Sequence, residues 1–243
     1  MEIIGSRATV KALLAGPFLI YKESGGDSFV KSFQKEILSK KIRYPLLEFS
    51  GIEIYKLVPE NEQINILDDI MALPESGRYV IAGIILQKRL SKHFEESLLK
   101  AGEYIISGND WLACDTIGER VMGYSLLTDP EQTVPALNLL NQSENKWLVR
   151  SVGVATHYAV KKGLKKVFVE QMFQMLLSCA HTTDFHTKKG IGWGAKTISK
   201  FHPEIVSKYN EQIENDPGIR QWFKTKIRIG LGRSYKYASR YSG

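Results

Sequence analysis

The chain has 243 residues, 43% of them hydrophobic and 24% charged, with a formal net charge of +7. This is the composition of a globular protein long enough to bury a substantial core, and it excludes a disordered or low-complexity chain. Two cysteines, Cys114 and Cys179, cannot build a disulfide framework and make no C-x-x-C pair; as small buried hydrophobes they suit a reducing compartment.

The charge is unevenly spread. Residues 1–150 hold 17 Lys and Arg against 20 Asp and Glu, whereas residues 151–243 hold 16 against 6. A C-terminal part with a net charge of +10 points to a polyanionic partner, with a merely solvated basic face as the plainer alternative.

In chain order, the first apolar run is ALLAGPFLIY (12–21), broken by Gly16-Pro17. It falls short of the roughly 18 residues that span a bilayer, and it lacks a basic flank and a small-residue cleavage site. Neither a membrane span nor a secretory signal is expected, and the protein is expected in the cytoplasm. Strand-like patterning is confined to FLIY (18–21) and IEIYKLV (52–58), neither of which has an obvious hairpin turn.

Elsewhere apolar residues recur at three and four positions, which predicts helices over 29–41, 64–73, 79–90, 93–102, 134–142, 147–162 and 167–180. Punctuation falls between them at Pro74, Ser91, Ser107-Gly108-Asn109, Asp129-Pro130, Ser143, Gly163, Asp184 and Pro203. Ser91 and Asp110 are N-cap candidates. No linker interrupts the chain, so a single all-α domain over 1–243 is expected.

Trp111, Trp147 and Trp193 each read as lying early in a helix, with Asp115, Arg150 and Lys196 about one turn on. Spacings of 36 and 46 residues suit paired-helix repeats of the HEAT or armadillo kind. Antiparallel pairs of that sort stack into a superhelix with an extended concave surface, here expected to be basic.

Trp111 and Asp115 stand four apart, which sets an indole and a carboxylate on one helical face. Together with NDWLACDTIGE (109–119), the stretches NKWLVRSVGVATH (145–157) and DFHTKKGIGWGAKTISKFHPEIV (184–206) resemble the DNA alkylation-repair glycosylases of the AlkD type. The resemblance covers roughly residues 80–215; residues 1–79 carry no recognisable pattern of that family.

The resemblance implies specific roles. Trp111, Asp115 and Trp193 would line a cleft beside the damaged nucleotide, and Arg150 would hold DNA backbone. Lys196 stands where family members often carry Arg, which keeps the charge and loses the bidentate fork; Val149 stands where a paired arginine is frequent. The lesion need not be swung into a deep pocket. The implied partner is duplex DNA containing alkylated bases, bound by a monomer associated with the nucleoid, with no cofactor and no metal.

The residue types suit that chemistry in their own right. A purine alkylated at N3 or N7 is cationic and leaves without a general acid. One preorganised carboxylate, Asp115, can then stabilise the cation developing on deoxyribose and orient water. Electron-rich indoles flank a cation favourably, at about 0.5–2 kcal/mol each. Hydrolysis with a neutral leaving group would call for two carboxylates, and only Asp115 stands in a motif.

Lys188, Lys189, Lys196 and Lys200 extend the expected DNA footprint, with Trp147 beside Arg150, although Trp147 alone also reads as a core residue. A lysine cluster (Lys161, Lys162, Lys165, Lys166) surrounds Gly163. The tail 224–243 carries six positive charges, no acid and three tyrosines, and reads as a mobile arm tracking phosphates or as a disordered end. His181, Asp184 and His186 lack further ligands for a metal, and His157 and His202 read as helix-end or surface residues. Alternatives to a glycosylase are a repeat scaffold that binds damaged or branched DNA without cutting it, and a protein-binding scaffold.

Overall fold

The computed structural model describes residues 3–237. Among them the architecture is all-α. The only sheet pairing joins Ile3–Ile4 to Lys41–Ile42, two residues on each side, in parallel. Contacts gather into two compact units that meet in sequence between Tyr104 and Ile105.

The first unit contains α1 (Arg7–Ser24), α2 (Gly26–Phe33), α3 (Tyr44–Leu57), α4 (Gln63–Met71), α5 (Arg78–Arg89) and most of α6 (Phe94–Gly108). The two strand-like segments are helical: 18–21 lies in α1 and 52–58 largely in α3. Four to seven apolar residues are too few to fix a period, and each run is one part of a longer helix whose buried residues recur at three and four. Pro17 sits inside α1 and Gly16 does not end it, so the break expected there does not occur. Ser91 is a turn residue rather than a cap, because α6 opens only at Phe94.

The second unit takes the end of α6 and then α7 (Trp111–Ile117), a π-helical turn (Gly118–Gly123) and α8 (Tyr124–Thr128). It continues through α9 (Pro130–Asn141), α10 (Lys146–Lys161), α11 (Lys166–Ser178) and α12 (Phe185–Phe201). It closes with α13 (Pro203–Lys208), α14 (Asn210–Asn215) and α15 (Gln221–Leu231).

A regular offset runs through this unit. Asp115 meets Arg150 at 35 residues' separation, Arg150 meets His186 at 36, and His157 meets Thr197 at 40. Contacts that advance together along both chains mean that α7, α10 and α12 lie side by side in parallel. Asn141 likewise reaches Met175, 34 residues on, so α9 and α11 form a second row. Helices that repeat at this interval bury one face against each neighbour, which is the logic of stacked helical layers.

The closest approach is between α10 and α12. A methyl group on Gly153 would overlap the carbonyl of Gly190, and one on Gly190 would overlap the carbonyl of Arg150. Gly194 continues the seam, with a methyl there falling 2.9 Å from the Gly153 carbonyl oxygen. Only glycine lets two helical backbones touch this closely. The core around the seam includes Val152, Val154, Phe173, Ile191, Ala195, Ile198 and Phe223, all fully buried.

The basic tail is not a loose arm where it is described. Residues 224–231 belong to α15, which buries Phe223, Ile227 and Gly230 against α12. An apolar period that enters the basic run accounts for this: Phe223, just before it, and Ile227 and Gly230 within it recur at four and three. Residues 238–243, the end of that tail, lie outside the described residues.

Candidate functional site

The Asn109-Asp110-Trp111 motif has a local reason for each residue. Asn109 ends α6 with φ at 47°, a left-handed backbone that asparagine tolerates well. Asp110 is extended and accepts a hydrogen bond from the Ala113 N–H at 2.8 Å, so α7 starts at Trp111 as its cap predicts. With the start fixed, Trp111 and Asp115 share one face. Trp111 is 57% exposed, an unusual state for so large a ring.

Asp115 is not the bare charge its sequence setting suggests. Arg150 on α10 donates Nε to Oδ1 and Nη2 to Oδ2, each at 2.8 Å, and its Nη1 donates to the His186 carbonyl at 3.1 Å. Side-chain exposure is 8% for Arg150 and 18% for Asp115. The cation is therefore the inner partner and the carboxylate the outer one. Burial disfavours the guanidinium charge, yet hydrogen bonding and attraction to Asp115 outweigh it and hold the Arg150 pKa above its ordinary value. Arg150, expected to grip DNA backbone, spends its fork on Asp115 and its third arm on a carbonyl. Its buried head positions the acid instead.

Trp147 is 4% exposed, and its indole N–H donates to the Asn109 side-chain oxygen at 2.8 Å. The His186 ring lies 4.4 Å from its centroid and Lys146 Nζ lies 5.3 Å from it. Its ring is out of a ligand's reach, which corrects its expected part in a DNA footprint. The reason is that α10 must cover the α6–α7 corner, and the indole fills that space.

Trp193 is half-buried on α12, in mid-helix rather than early in it. Its ring stacks on His157 with centroids 4.0 Å apart and planes tilted by 24°. Thr197 locks the pair: its hydroxyl donates to the Trp193 carbonyl at 2.9 Å and accepts from His157 Nδ1 at 2.7 Å. Burial, then Lys161, Lys196 and Lys200, push the His157 pKa down to about 4, so the plate behind Trp193 is uncharged at neutral pH. His157 thus lies inside the site region and not on the surface. His202 is buried at the junction of α12 and α13.

Around Trp193 the positive charge is dense. Burial, followed by repulsion from Lys226, Arg233 and Lys200, holds the Lys196 pKa below its ordinary value. Lys189, Trp193, Lys196 and Lys200 are spaced by four, three and four, which lines them along one face of α12. Lys188 falls one step around the helix from that face. Lys189 Nζ rests 5.2 Å from the centroid of the exposed Phe185, and Lys200 Nζ lies 3.7 Å from that of Tyr237.

Arg150 and His157 are seven apart on α10, two turns and about 10 Å along its axis. One face of α10 therefore carries both the Asp115 pair and the Trp193 stack. Among the sequence candidates, Trp111, Asp115, Trp193 and Lys196 stay accessible or half-buried here; His157 and His186 carry no role in the sequence reading, and Lys226 and Arg233 enter it only as charges of the basic tail. The interval of seven from Arg150 to His157 was the available signal.

Among the described residues, no group of three His, Cys, Asp or Glu could hold a metal ion, and no helix is long and apolar enough to cross a membrane. Cys114 and Cys179 are buried free thiols, both with raised pKa through burial.

No curated protein and no solved structure matches the chain significantly. A family model described as "DNA alkylation repair enzyme" matches residues 52–221, which takes in every motif residue above, reaches back over 52–79 where the motifs alone show no family pattern, and stops at the first residue of α15. The chain belongs to the DNA alkylation repair enzyme family.

Proposed function

We propose that this member of the family is a DNA glycosylase that hydrolyses the N-glycosidic bond of cationic alkylated purines in duplex DNA. The observation that carries the reading is the Asp115–Arg150 pair beside the exposed Trp111, with the carboxylate outermost.

A purine methylated at N3 or N7 leaves with the glycosidic electron pair and becomes neutral. The sugar is left electron-poor, and water adds at its anomeric carbon and loses a proton. The carboxylate of Asp115, held by two parallel hydrogen bonds, presents its remaining lone pairs to that sugar without having to reorganise. Trp111 supplies an indole face on one side. Trp193, backed by neutral His157, supplies the other, and the α12 lysines draw in the strand. Asp115, Trp111 and Trp193 are then the catalytic residues. Lys189, Lys196 and Lys200 are the backbone contacts, with Lys188 at the margin. The protein acts as a monomeric stack of HEAT-like layers in the nucleoid, without metal or cofactor.

The test is release of 7-methylguanine or 3-methyladenine from methylated DNA. Wild-type protein releases at least one of them and Asp115→Asn does not. Release by neither protein, or equal release by both, overturns the reading.

One observation favours a second reading, binding of damaged or branched DNA without cleavage. A carboxylate tied twice to a guanidinium has much of its field cancelled at a distance. Salt-dependent binding to damaged DNA with no base release would select it.

A further inference from the structure

Four cations gather where α12 meets α15 and the turn after it, and among the described residues no carboxylate pairs with them. Lys196 and Lys200 come from α12, Lys226 from α15, and Arg233 from the turn after it. Ion pairs involving α15 lie on its other side, where Lys224 and Arg228 face Glu214. Among the described residues none of the four has an ion-pair partner. Repulsion among them is strong enough to be felt at the Lys196 ammonium, which is partly withdrawn from water.

The crowding is built in by close packing. A methyl on Gly230 would fall 2.5 Å from the Lys196 carbonyl oxygen, so α15 lies flush against α12 there. A methyl on Gly192 would fall 2.9 Å from Cγ and 3.3 Å from Cε of Lys226. The stem of Lys226 therefore crosses α12 over Gly192, beside Trp193. A protein that gains nothing from adjacent like charges would not press them together on glycines. A polyanion bound there would relieve the repulsion.

We infer that Lys226 and Arg233, outside the stretch matched by the family model, join Lys196 and Lys200 in one binding site for consecutive backbone phosphates of DNA. The inference rests on the DNA-binding part of the function proposed above and not on its chemistry. At position 196 a lysine gives one point charge without a fork. Three further cations close enough to repel Lys196 would make up for a single bidentate contact. The ordered helix α15 also holds Lys226 in place, with Arg233 two residues past its end, which a freely moving arm would not.

The test is the salt dependence of binding to an undamaged duplex. Each phosphate contact contributes about −0.9 to the slope of log K against log salt. The double variant Lys226→Gln/Arg233→Gln should lower the wild-type slope by about two, while Lys226→Arg/Arg233→Lys should leave it unchanged. Lys208→Gln, which removes a lysine paired with Glu170, serves as the charge control and should leave the slope near wild type. A folded double variant with the wild-type slope overturns the inference, and so does a drop of the same size in Lys208→Gln.

The two proposals fail separately. Wild-type protein that binds duplex with this slope but releases no base removes the glycosylase and leaves the phosphate site. Base release by wild type with an unchanged slope in the double variant does the reverse. Absence of DNA binding by wild type removes both.

Discussion

Asp115 and Arg150 meet through two parallel hydrogen bonds, and the guanidinium is the more deeply buried of the two. The arrangement turns a flexible acid into a fixed dipole whose negative end faces out. It also divides two roles for Arg150, phosphate clamp and positioning residue. Arg150→Gln should leave the salt slope of DNA binding unchanged while cutting base release by about tenfold or more. An Arg150 that gripped phosphate would instead lower the slope by about one. The same variant strands a half-buried carboxylate and should lose about 2 kcal/mol of stability, read by denaturant unfolding.

Trp111 and Trp147 open consecutive motifs and should respond oppositely to truncation. Trp111→Ala removes a ring already largely in water and should shift stability by less than about 1 kcal/mol, yet impair base release. Trp147→Ala empties a buried space and breaks the hydrogen bond to Asn109. It should cost about 3–5 kcal/mol, seen as a large fall in the unfolding midpoint.

His157 makes stability depend on pH in a defined window. Its folded pKa of about 4 lies below the ordinary 6.5 of an unfolded histidine. Below pH 6.5 the unfolded chain takes up a proton that the folded chain refuses, so stability is full above that pH and falls as pH drops toward 4. His202, also shifted down by burial, adds in the same direction. Unfolding midpoints measured between pH 7 and pH 5 should fall with acid, and His157→Gln should flatten that fall.

Gly153→Ala places a methyl group onto the Gly190 carbonyl. Helix propensity favours the alanine by about 1 kcal/mol, and overpacking onto main chain, at the upper end of about 1–3 kcal/mol, outweighs it. A lower unfolding midpoint together with weaker DNA binding is expected, because α10 and α12 both carry site residues.

Much of the second unit was legible. Helices α9, α10 and α11 follow the three-and-four apolar period to within four residues of the ends it predicts, and the Asp110 side chain caps α7 by accepting from the Ala113 N–H as its type suggests. The helices α1 and α3 were not legible, because runs of four to seven apolar residues are too short to separate the alternation of a strand from one stretch of a longer helix. In the site, Trp111 and Asp115 could be placed on one face from spacing alone. The pairing of Asp115 with Arg150 joins residues 35 apart, and nothing in a linear pattern says whether an arginine points outward or inward. The same holds for His157, whose stacking partner Trp193 lies on another helix. Neither reading of the tail, a mobile arm or a disordered end, describes 224–231, because its charges hide the packing positions Ile227 and Gly230.

The glycine seam between α10 and α12 has one more consequence. Where main chain rests on main chain, no rotamer can yield, so the two helices have a single depth and a single register. The separation between the acid held at Arg150 and the aromatic plate held at His157 is then independent of the side chains around them. Lysines and neighbouring aliphatics on the outward faces are free to be exchanged as strand contacts change, with the frame undisturbed. Variation that alters what this protein recognises should therefore accumulate beside Gly153, Gly190 and Gly194 and spare those three positions themselves.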